Sequence, residues 1–215
     1  MRISKRLQAL YDLVPFCDYL VDIGTDHGLL IAAAVKNGRC KYAYGLDIVD
    51  GPLQQAQRNI DKYDLGKSIS LIKSDGLKSF NKQGDVFVIA GMGAETIVNI
   101  IDAYTFNVNQ EIIIQSNTKN PWLRKTLVEK GFMIIDEVFL YDNRKPVFIM
   151  KVKLGYQELS VTEQYIGPIL MTQENSDYDA YLEHQVRKLK KIQIQNEGFK
   201  EEYLCLSNYL TRRSD

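Results

Sequence analysis

Strand-like and helix-like segments alternate along the first two thirds of the chain, and this alternation limits the possible folds more than any other feature. Short apolar runs typical of buried strands are followed by segments with apolar residues at helical spacing. The predicted strands are Tyr19–Ile23, Tyr42–Ile48, Ile69–Lys73, Asp85–Ala90 and Glu111–Gln115, and the predicted helices are Leu29–Lys36, Pro52–Tyr63, Ala94–Ala103 and Pro121–Lys130. Because parallel strands need long, usually helical crossovers, this order predicts an α/β fold with a doubly wound sheet.

The last two predicted strands follow each other without a helix. Phe132–Tyr141 and Val147–Leu154 are separated only by a short polar turn. A return this short requires antiparallel pairing. A mostly parallel sheet that ends in an antiparallel hairpin is typical of the Rossmann-like class I methyltransferases rather than of dehydrogenases.

The composition changes after Gly155, where the strand pattern stops and a polar, helical pattern follows. From residue 177 onward, residues recur at the three- and four-residue steps of a heptad; they are Leu182, Gln185, Leu189, Ile192, Asn196, Phe199, Tyr203, Leu206 and Leu210. Gly198 interrupts the pattern, so an antiparallel pair hinged near Asn196–Gly198 is favoured over one long rod. We therefore predict a ligand-binding domain at 1–155 and an α-helical coiled-coil hairpin at 156–215.

The charge balance and the cysteines argue against several classes of protein. Lys+Arg and Asp+Glu number 27 each, which argues against a general electrostatic nucleic-acid binder but not against a local basic patch. The three cysteines show no C-x-x-C spacing, so neither a metal site nor a disulfide framework is expected. No apolar run approaches the length of a membrane span, and the N-terminus lacks the apolar core of a secretion signal. We expect a cytoplasmic monomer.

Acidic residues and glycines recur where the predicted strands end, which is where open α/β sheets bind ligands. The four motifs are Asp22-Ile23-Gly24-Thr25-Asp26-His27-Gly28, Asp47-Ile48, Ser74-Asp75-Gly76 and Ala90-Gly91-Met92-Gly93. Gly24 lets the backbone pass close to a ligand. Asp47 lies about 20 residues further on, where a ribose-binding acid is expected.

These motifs fit S-adenosylmethionine better than a nicotinamide dinucleotide. Asp47 can accept hydrogen bonds from both ribose hydroxyls, and Asp75 can accept one from the exocyclic amine of adenine. The loop lacks G-x-G-x-x-G, and a carboxylate at Asp26 would repel a pyrophosphate. The predicted cofactor-binding residues are Asp22, Gly24, Thr25, Asp47, Ile48, Asp75, Gly76, Ala90, Gly91, Met92 and Gly93.

Taken in order, the four motifs and the starting Ser-Lys-Arg-Leu at 4–7 resemble the TrmK family. That family comprises bacterial tRNA methyltransferases that modify N1 of adenine 22. The resemblance implies S-adenosylmethionine as cofactor, tRNA as substrate and a C-terminal coiled-coil domain that helps to hold the tRNA. The sequence departs from the family at Gln115-Ser116-Asn117, where a proline more often follows the glutamine, and in the last hairpin at 144–148.

Methylation at N1 makes modest demands on catalytic groups, because the ring nitrogen already carries an in-plane lone pair. Positioning is then most of the catalysis, and a nearby carboxylate could stabilise the cationic product or take its amine proton. The predicted catalytic residues are Asp26, His27 and Asn117, and the predicted substrate-binding residues are Arg2, Lys5, Arg6, Trp122 and Arg124. Plainer alternatives remain: Asp26 could cap the next helix, Trp122 could pack on the sheet, and the basic residues could form a solvated face.

Two other functions fit the same motifs. One is an S-adenosylmethionine-dependent methyltransferase of a small molecule or a protein, which would transfer no methyl group to tRNA. The other is a catalytically silent nucleic-acid-binding or scaffold protein on the same fold, although such a protein has no reason to keep a ribose carboxylate.

Overall fold

A seven-stranded sheet forms the centre of the protein. The computed structural model describes residues 3–192 and 199–214. The strands are β1 (Cys17–Ile23), β2 (Cys40–Asp47), β3 (Ile69–Lys73), β4 (Val86–Met92), β5 (Glu111–Ser116), β6 (Phe132–Asp142) and β7 (Lys145–Leu154), in the order β3-β2-β1-β4-β5-β7-β6. The first five strands run parallel, whereas β7 is antiparallel to both β5 and β6. The predicted doubly wound sheet with a terminal antiparallel hairpin is confirmed.

Helices connect the parallel strands and continue beyond the sheet. They are α1 (Lys5–Leu13), α2 (Leu29–Lys36), α3 (Asp50–Lys62), α4 (Ala94–Asp102), α5 (Asn120–Glu129), α6 (Val161–Ile166), α7 (Ser176–Ile192) and α8 (Lys200–Ser214). The predicted helices all exist, with bounds that shift by at most two residues. The sequence did not predict α6, because six residues are too few to show helical periodicity.

The core lies on both faces of the sheet. Along β4, Phe87 and Ile89 belong to one buried cluster, while Val86 and Val88 belong to the other. Successive side chains of a strand point to opposite faces, so a strand covered on both sides is apolar throughout. Burial on both faces holds the carboxyl ends of β1, β2 and β4 in fixed positions at one edge of the sheet.

The C-terminal helices pack against the last hairpin. Phe139 of β6 and Phe148 of β7 share a buried cluster with Tyr178 and Leu182 of α7 and Leu206 of α8. The two helices run in opposite directions, since Arg213 near the end of α8 pairs with Asp179 in the first turn of α7, at 3.5 Å. The predicted hinge at Asn196–Gly198 lies outside the described residues, and coiled-coil packing stays a prediction.

A buried ion pair ties the segment after β7 to the sheet. Arg124 of α5 donates from Nε to Oε1 of Glu137 on β6, at 2.7 Å, and the two side chains are 1% and 0% exposed. Arg124 Nη1 also donates to the carbonyl oxygens of Gln164 and Tyr165. The packing therefore crosses the predicted boundary at residue 155.

Candidate active site

The loop between β1 and α2 carries the first motif and is held against β2. The amides of Gly24 and Thr25 both donate to the carbonyl oxygen of Leu46, at 2.8 and 3.0 Å. Gly24 has a φ of +73°, and a Cβ placed there would lie 2.5 Å from the methyl carbon of Met92. This position therefore needs glycine both for its backbone conformation and for the close approach of Met92.

Two cavities meet at Gly24. The larger cavity has a volume of about 380 Å³ and is lined by Asp47, Ile48, Asp75, Gly76 and Met92. The smaller cavity has a volume of about 210 Å³ and is lined by Arg6, Asp22, Thr25, Asp26, His27 and Ala90. Gly24 lines both. The two cavities together hold most of the predicted cofactor-binding residues, and an elongated ligand could occupy both.

Asp22 brings a buried carboxyl group to the smaller cavity. Its side chain is 5% exposed, and Oδ2 accepts a hydrogen bond from Thr25 Oγ1 at 2.8 Å. Burial raises the pKa of Asp22 to about 6, against the opposing effects of the Thr25 hydrogen bond and the positive charge of Arg6. Asp22 is therefore a weaker acid than an exposed aspartate, and it shares the cavity with the positively charged Arg6.

Asp47 and Asp75 extend the larger cavity from the ends of β2 and β3. Oδ1 of Asp47 accepts from the amide of Val49 at 3.0 Å, and Oδ2 accepts from the amide of Asp26 at 3.4 Å. These bonds fix the carboxylate while leaving it half-buried at the cavity wall. Asp75 is exposed and forms an ion pair with Lys78.

A hydrogen-bond network that the sequence did not predict joins the ends of β4 and β5. Gln115 is buried, and its Oε1 accepts from Arg6 Nη1 at 3.0 Å and from the amide of Gly91 at 3.1 Å. Its Nε2 donates to Oδ1 of Asn117 at 3.0 Å, and Asn117 Nδ2 donates to the carbonyl oxygen of Gly91 at 2.8 Å. The available signal was an amide at the end of an otherwise apolar strand, since a buried polar group needs partners.

Two of the three predicted catalytic residues line the smaller cavity, and the third directly follows β5. Asp26 and His27 line the cavity with exposed side chains, and His27 Nε2 lies 3.6 Å from Asp26 Oδ1. The alternative that Asp26 caps α2 is wrong, because Gly28 occupies the N-cap position. Asp26 instead has a φ of +51° within the turn. Asn117 is exposed beside Gly91.

The predicted substrate-binding residues have different surroundings. Lys5 is exposed, and Arg6 points inward to Gln115. Trp122 is 42% exposed in the first turn of α5 and is not packed fully on the sheet. Arg2 lies outside the described residues. Of the predicted cofactor-binding residues, Gly91 and Gly93 line neither cavity, and Gly93 is the N-cap of α4.

Arg124, one of the predicted substrate-binding residues, is 1% exposed and is held by an ion pair inside the protein. Its guanidinium group is buried and bonded to Glu137 and to two carbonyl oxygens after β7. An arginine in a helix next to the crevice resembles a phosphate ligand in sequence. Here it points into the protein because Glu137, on an adjacent strand, supplies its counter-charge.

Comparisons with known proteins give the family. The model of TrmK, tRNA (adenine(22)-N(1))-methyltransferase, matches residues 20–213. This chain belongs to the TrmK family. It is 31% identical to the tRNA (adenine(22)-N(1))-methyltransferase of Bacillus subtilis over 185 residues, which are 82% of this chain and 78% of the relative.

Two solved structures extend the likeness to the whole fold. Streptococcus pneumoniae Sp1610, in complex with S-adenosyl-L-methionine, is 28% identical with a TM-score of 0.89, over 97% of this chain and 100% of that chain. M. capricolum TrmK, in complex with S-adenosyl-homocysteine, is 30% identical with a TM-score of 0.81, over 98% of this chain and 96% of that chain. The predicted function is confirmed: the chain is an S-adenosylmethionine-dependent tRNA (adenine-N1)-methyltransferase.

Within residues 3–192 and 199–214, no group of three or more His, Cys, Asp or Glu side chains could hold a metal ion. Within the same ranges, no helix is long and apolar enough to cross a membrane.

Proposed function

We propose that the two cavities hold a single S-adenosylmethionine molecule, with its adenosine in the larger cavity and its methionine end in the smaller one. The observation that carries this assignment is that Gly24 lines both cavities. Met92 lies over Gly24, and its flexible thioether chain would turn aside when the cofactor binds.

The charges of each cavity match the part of the cofactor assigned to it. In the larger cavity, Asp47 would accept hydrogen bonds from the ribose hydroxyls, and Asp75 would accept a hydrogen bond from the adenine amine. In the smaller cavity, the Asp22 carboxylate would pair with the ammonium group of methionine, and Arg6 with its carboxylate. Each charged group at the methionine end of the cofactor would thus pair with a side chain of opposite charge.

The target adenine would approach the methyl group from the rim formed by Asn117, Gly91 and Asp26. Its N1 lone pair forms the bond to the methyl carbon, while the sulfur–carbon bond breaks and its electron pair stays on sulfur. The products are S-adenosylhomocysteine and a cationic 1-methyladenine. Asp26 would stabilise that cation through the N6 amine, and Asn117 would orient the base.

The substitution Asp47→Asn tests the cofactor assignment. Asparagine keeps the shape of the side chain but loses the charge, and a hydrogen bond to a charged group contributes about 1.5–3 kcal/mol. We expect the dissociation constant for S-adenosylmethionine to rise by about tenfold to a hundredfold in isothermal titration calorimetry. Asp50→Asn is the matched control, since Asp50 is exposed, pairs with Lys73 and lines neither cavity. Equal affinities for the two variants would exclude Asp47 from the site.

Methyl transfer to tRNA tests the reaction itself. Labelled S-adenosylmethionine should place its methyl group on one adenine of tRNA, recovered as 1-methyladenosine at position 22 by nucleoside mass spectrometry and mapping. We also propose that the enzyme is cytoplasmic and acts as a monomer. Light scattering with and without tRNA measures its oligomeric state. Label recovered at another adenine or on protein would contradict the proposed substrate.

A further inference from the structure

A third cleft lies outside the two cofactor cavities. It has a volume of about 240 Å³ and separates the loop between β5 and α5 from the C-terminal helices. Its lining includes Asn117 from the loop, Asn120 of α5, Phe148 of β7, and Tyr181 and Glu202 from the C-terminal helices. Neither the cofactor assignment nor the reaction accounts for it.

Two acceptors on the walls of this cleft have no donor in the described ranges, and one buried donor there, Arg124 Nη2, has no acceptor. Glu202 is half-buried and accepts no hydrogen bond from any residue in the described ranges. Burial raises the pKa of its carboxyl group, with a smaller opposing effect from Lys188. Oδ1 of Asn120 is also buried without a partner in those ranges. Buried polar groups are nearly always paired, so a ligand that fits here would bring donors.

Aromatic rings form the other wall. The rings of Phe148 and Tyr181 meet with centroids 5.3 Å apart and an interplanar angle of 73°. Tyr178 and Tyr181 lie nearly parallel at 12°, with centroids 6.2 Å apart. Because neighbouring rings hold Tyr181 in place, it offers a preformed surface for a flat group. Unpaired nucleobases bind to proteins on such surfaces.

The cleft is next to the site of methyl transfer. Asn117 lines it and also donates to the carbonyl oxygen of Gly91, which belongs to the rim where the target adenine would arrive. A tRNA that places one base at this rim therefore brings neighbouring nucleotides close to the cleft.

We propose that the cleft binds a second, unpaired base of the same tRNA, and that this base is a guanine. Among the four bases, only guanine presents two adjacent donors, N1–H and the 2-amino group, on its Watson–Crick edge, and a carboxylate accepts both at once. Glu202 is the acceptor, and Tyr181 stacks on the ring. The proposal rests on tRNA being the substrate and adds a second point of recognition to it.

The variant Glu202→Gln in the full-length enzyme tests the carboxylate. Losing the paired contact should raise the KM for tRNA by about 5- to 100-fold, while affinity for S-adenosylmethionine stays at the wild-type value. Glu183→Gln is the matched control, because Glu183 is exposed on α7 and does not line the cleft. Removing a negative charge should on electrostatic grounds favour tRNA binding. The two variants are therefore expected to shift KM differently, and only Glu202→Gln should raise it.

Synthetic tRNA identifies the base. Inosine keeps N1–H but lacks the 2-amino group, so unpaired guanines replaced singly by inosine should reveal one position that weakens the wild-type enzyme. Glu202→Gln should be insensitive to that same replacement. If KM for Glu202→Gln matches that for Glu183→Gln, or if no inosine position matters, the cleft does not bind guanine. Wild-type methylation of unmodified tRNA is measured alongside, and its absence would contradict the proposed function instead.

Discussion

Asp22 is a residue whose position in the binding site lowers the stability of the folded protein. Its pKa is raised from 3.8 to about 6 by burial, so the folded state binds this proton more tightly than the unfolded chain. Stability therefore falls as the pH rises from about 4 to about 6, and stays lowered above that range. We expect Asp22→Asn to raise the free energy of unfolding at pH 7.5 by up to roughly 3 kcal/mol in urea titrations.

The pH dependence is the control for this prediction. Well below pH 3.8 the wild-type carboxyl is protonated in both states, so the advantage of Asp22→Asn should vanish there. A gain that does not change with pH would contradict the assigned cause. Affinity for S-adenosylmethionine should fall in the same variant, because the ammonium group loses its counter-charge. The sequence placed Asp22 at the end of a strand, but it could not show that Asp22 is buried or that Leu10 of α1 lines the same cavity.

At the scale of elements, Gln115 couples three segments at the rim of the site. It holds Arg6 of α1, Gly91 at the end of β4 and Asn117 after β5. Gln115→Glu keeps an acceptor for Arg6 and Gly91 but loses the donor to Asn117. We expect kcat to fall by about tenfold, since small misplacements of a positioning group cost rate, and affinity for S-adenosylmethionine to fall as well, because the new carboxylate competes for Arg6 with the methionine carboxylate. Single-turnover methyl transfer at saturating cofactor measures this effect.

A double-mutant cycle with Asn117→Ala separates the coupling from general damage. If Gln115 acts through Asn117, the double variant should be no slower than Asn117→Ala alone. Rates that multiply independently would show that Gln115 acts elsewhere. Sequence periodicity located the ends of β4 and β5 and therefore Gly91 and Asn117. It could not reveal Gln115, because the partner Arg6 lies 109 positions away in the chain.

At the scale of the whole molecule, sequence composition indicated a boundary at residue 155, and the packing runs across it. The alternation of strands and helices was enough to predict the doubly wound sheet and the shared edge where the acids meet. It did not predict that Phe139 and Phe148 are covered by the C-terminal helices. Oε2 of Glu137 also accepts from the amides of Ile169 and Leu170, at 3.0 and 3.3 Å. A domain cut after Gly155 would lose these contacts.

The buried ion pair of Arg124 and Glu137 leads to a prediction about stability that would not hold if Arg124 bound the substrate. Arg124→Met should destabilise the protein by about 3–5 kcal/mol, because it leaves the Glu137 charge buried and unpaired. Adding Glu137→Leu should restore much of that loss, since a buried pair can be replaced by apolar groups at little cost. Urea unfolding of the two variants and the wild type measures both effects, and the KM for tRNA of the double variant should stay close to the wild-type value. An undiminished stability in Arg124→Met, joined to a raised KM for tRNA, would instead mean that Arg124 leaves the interior to meet the substrate.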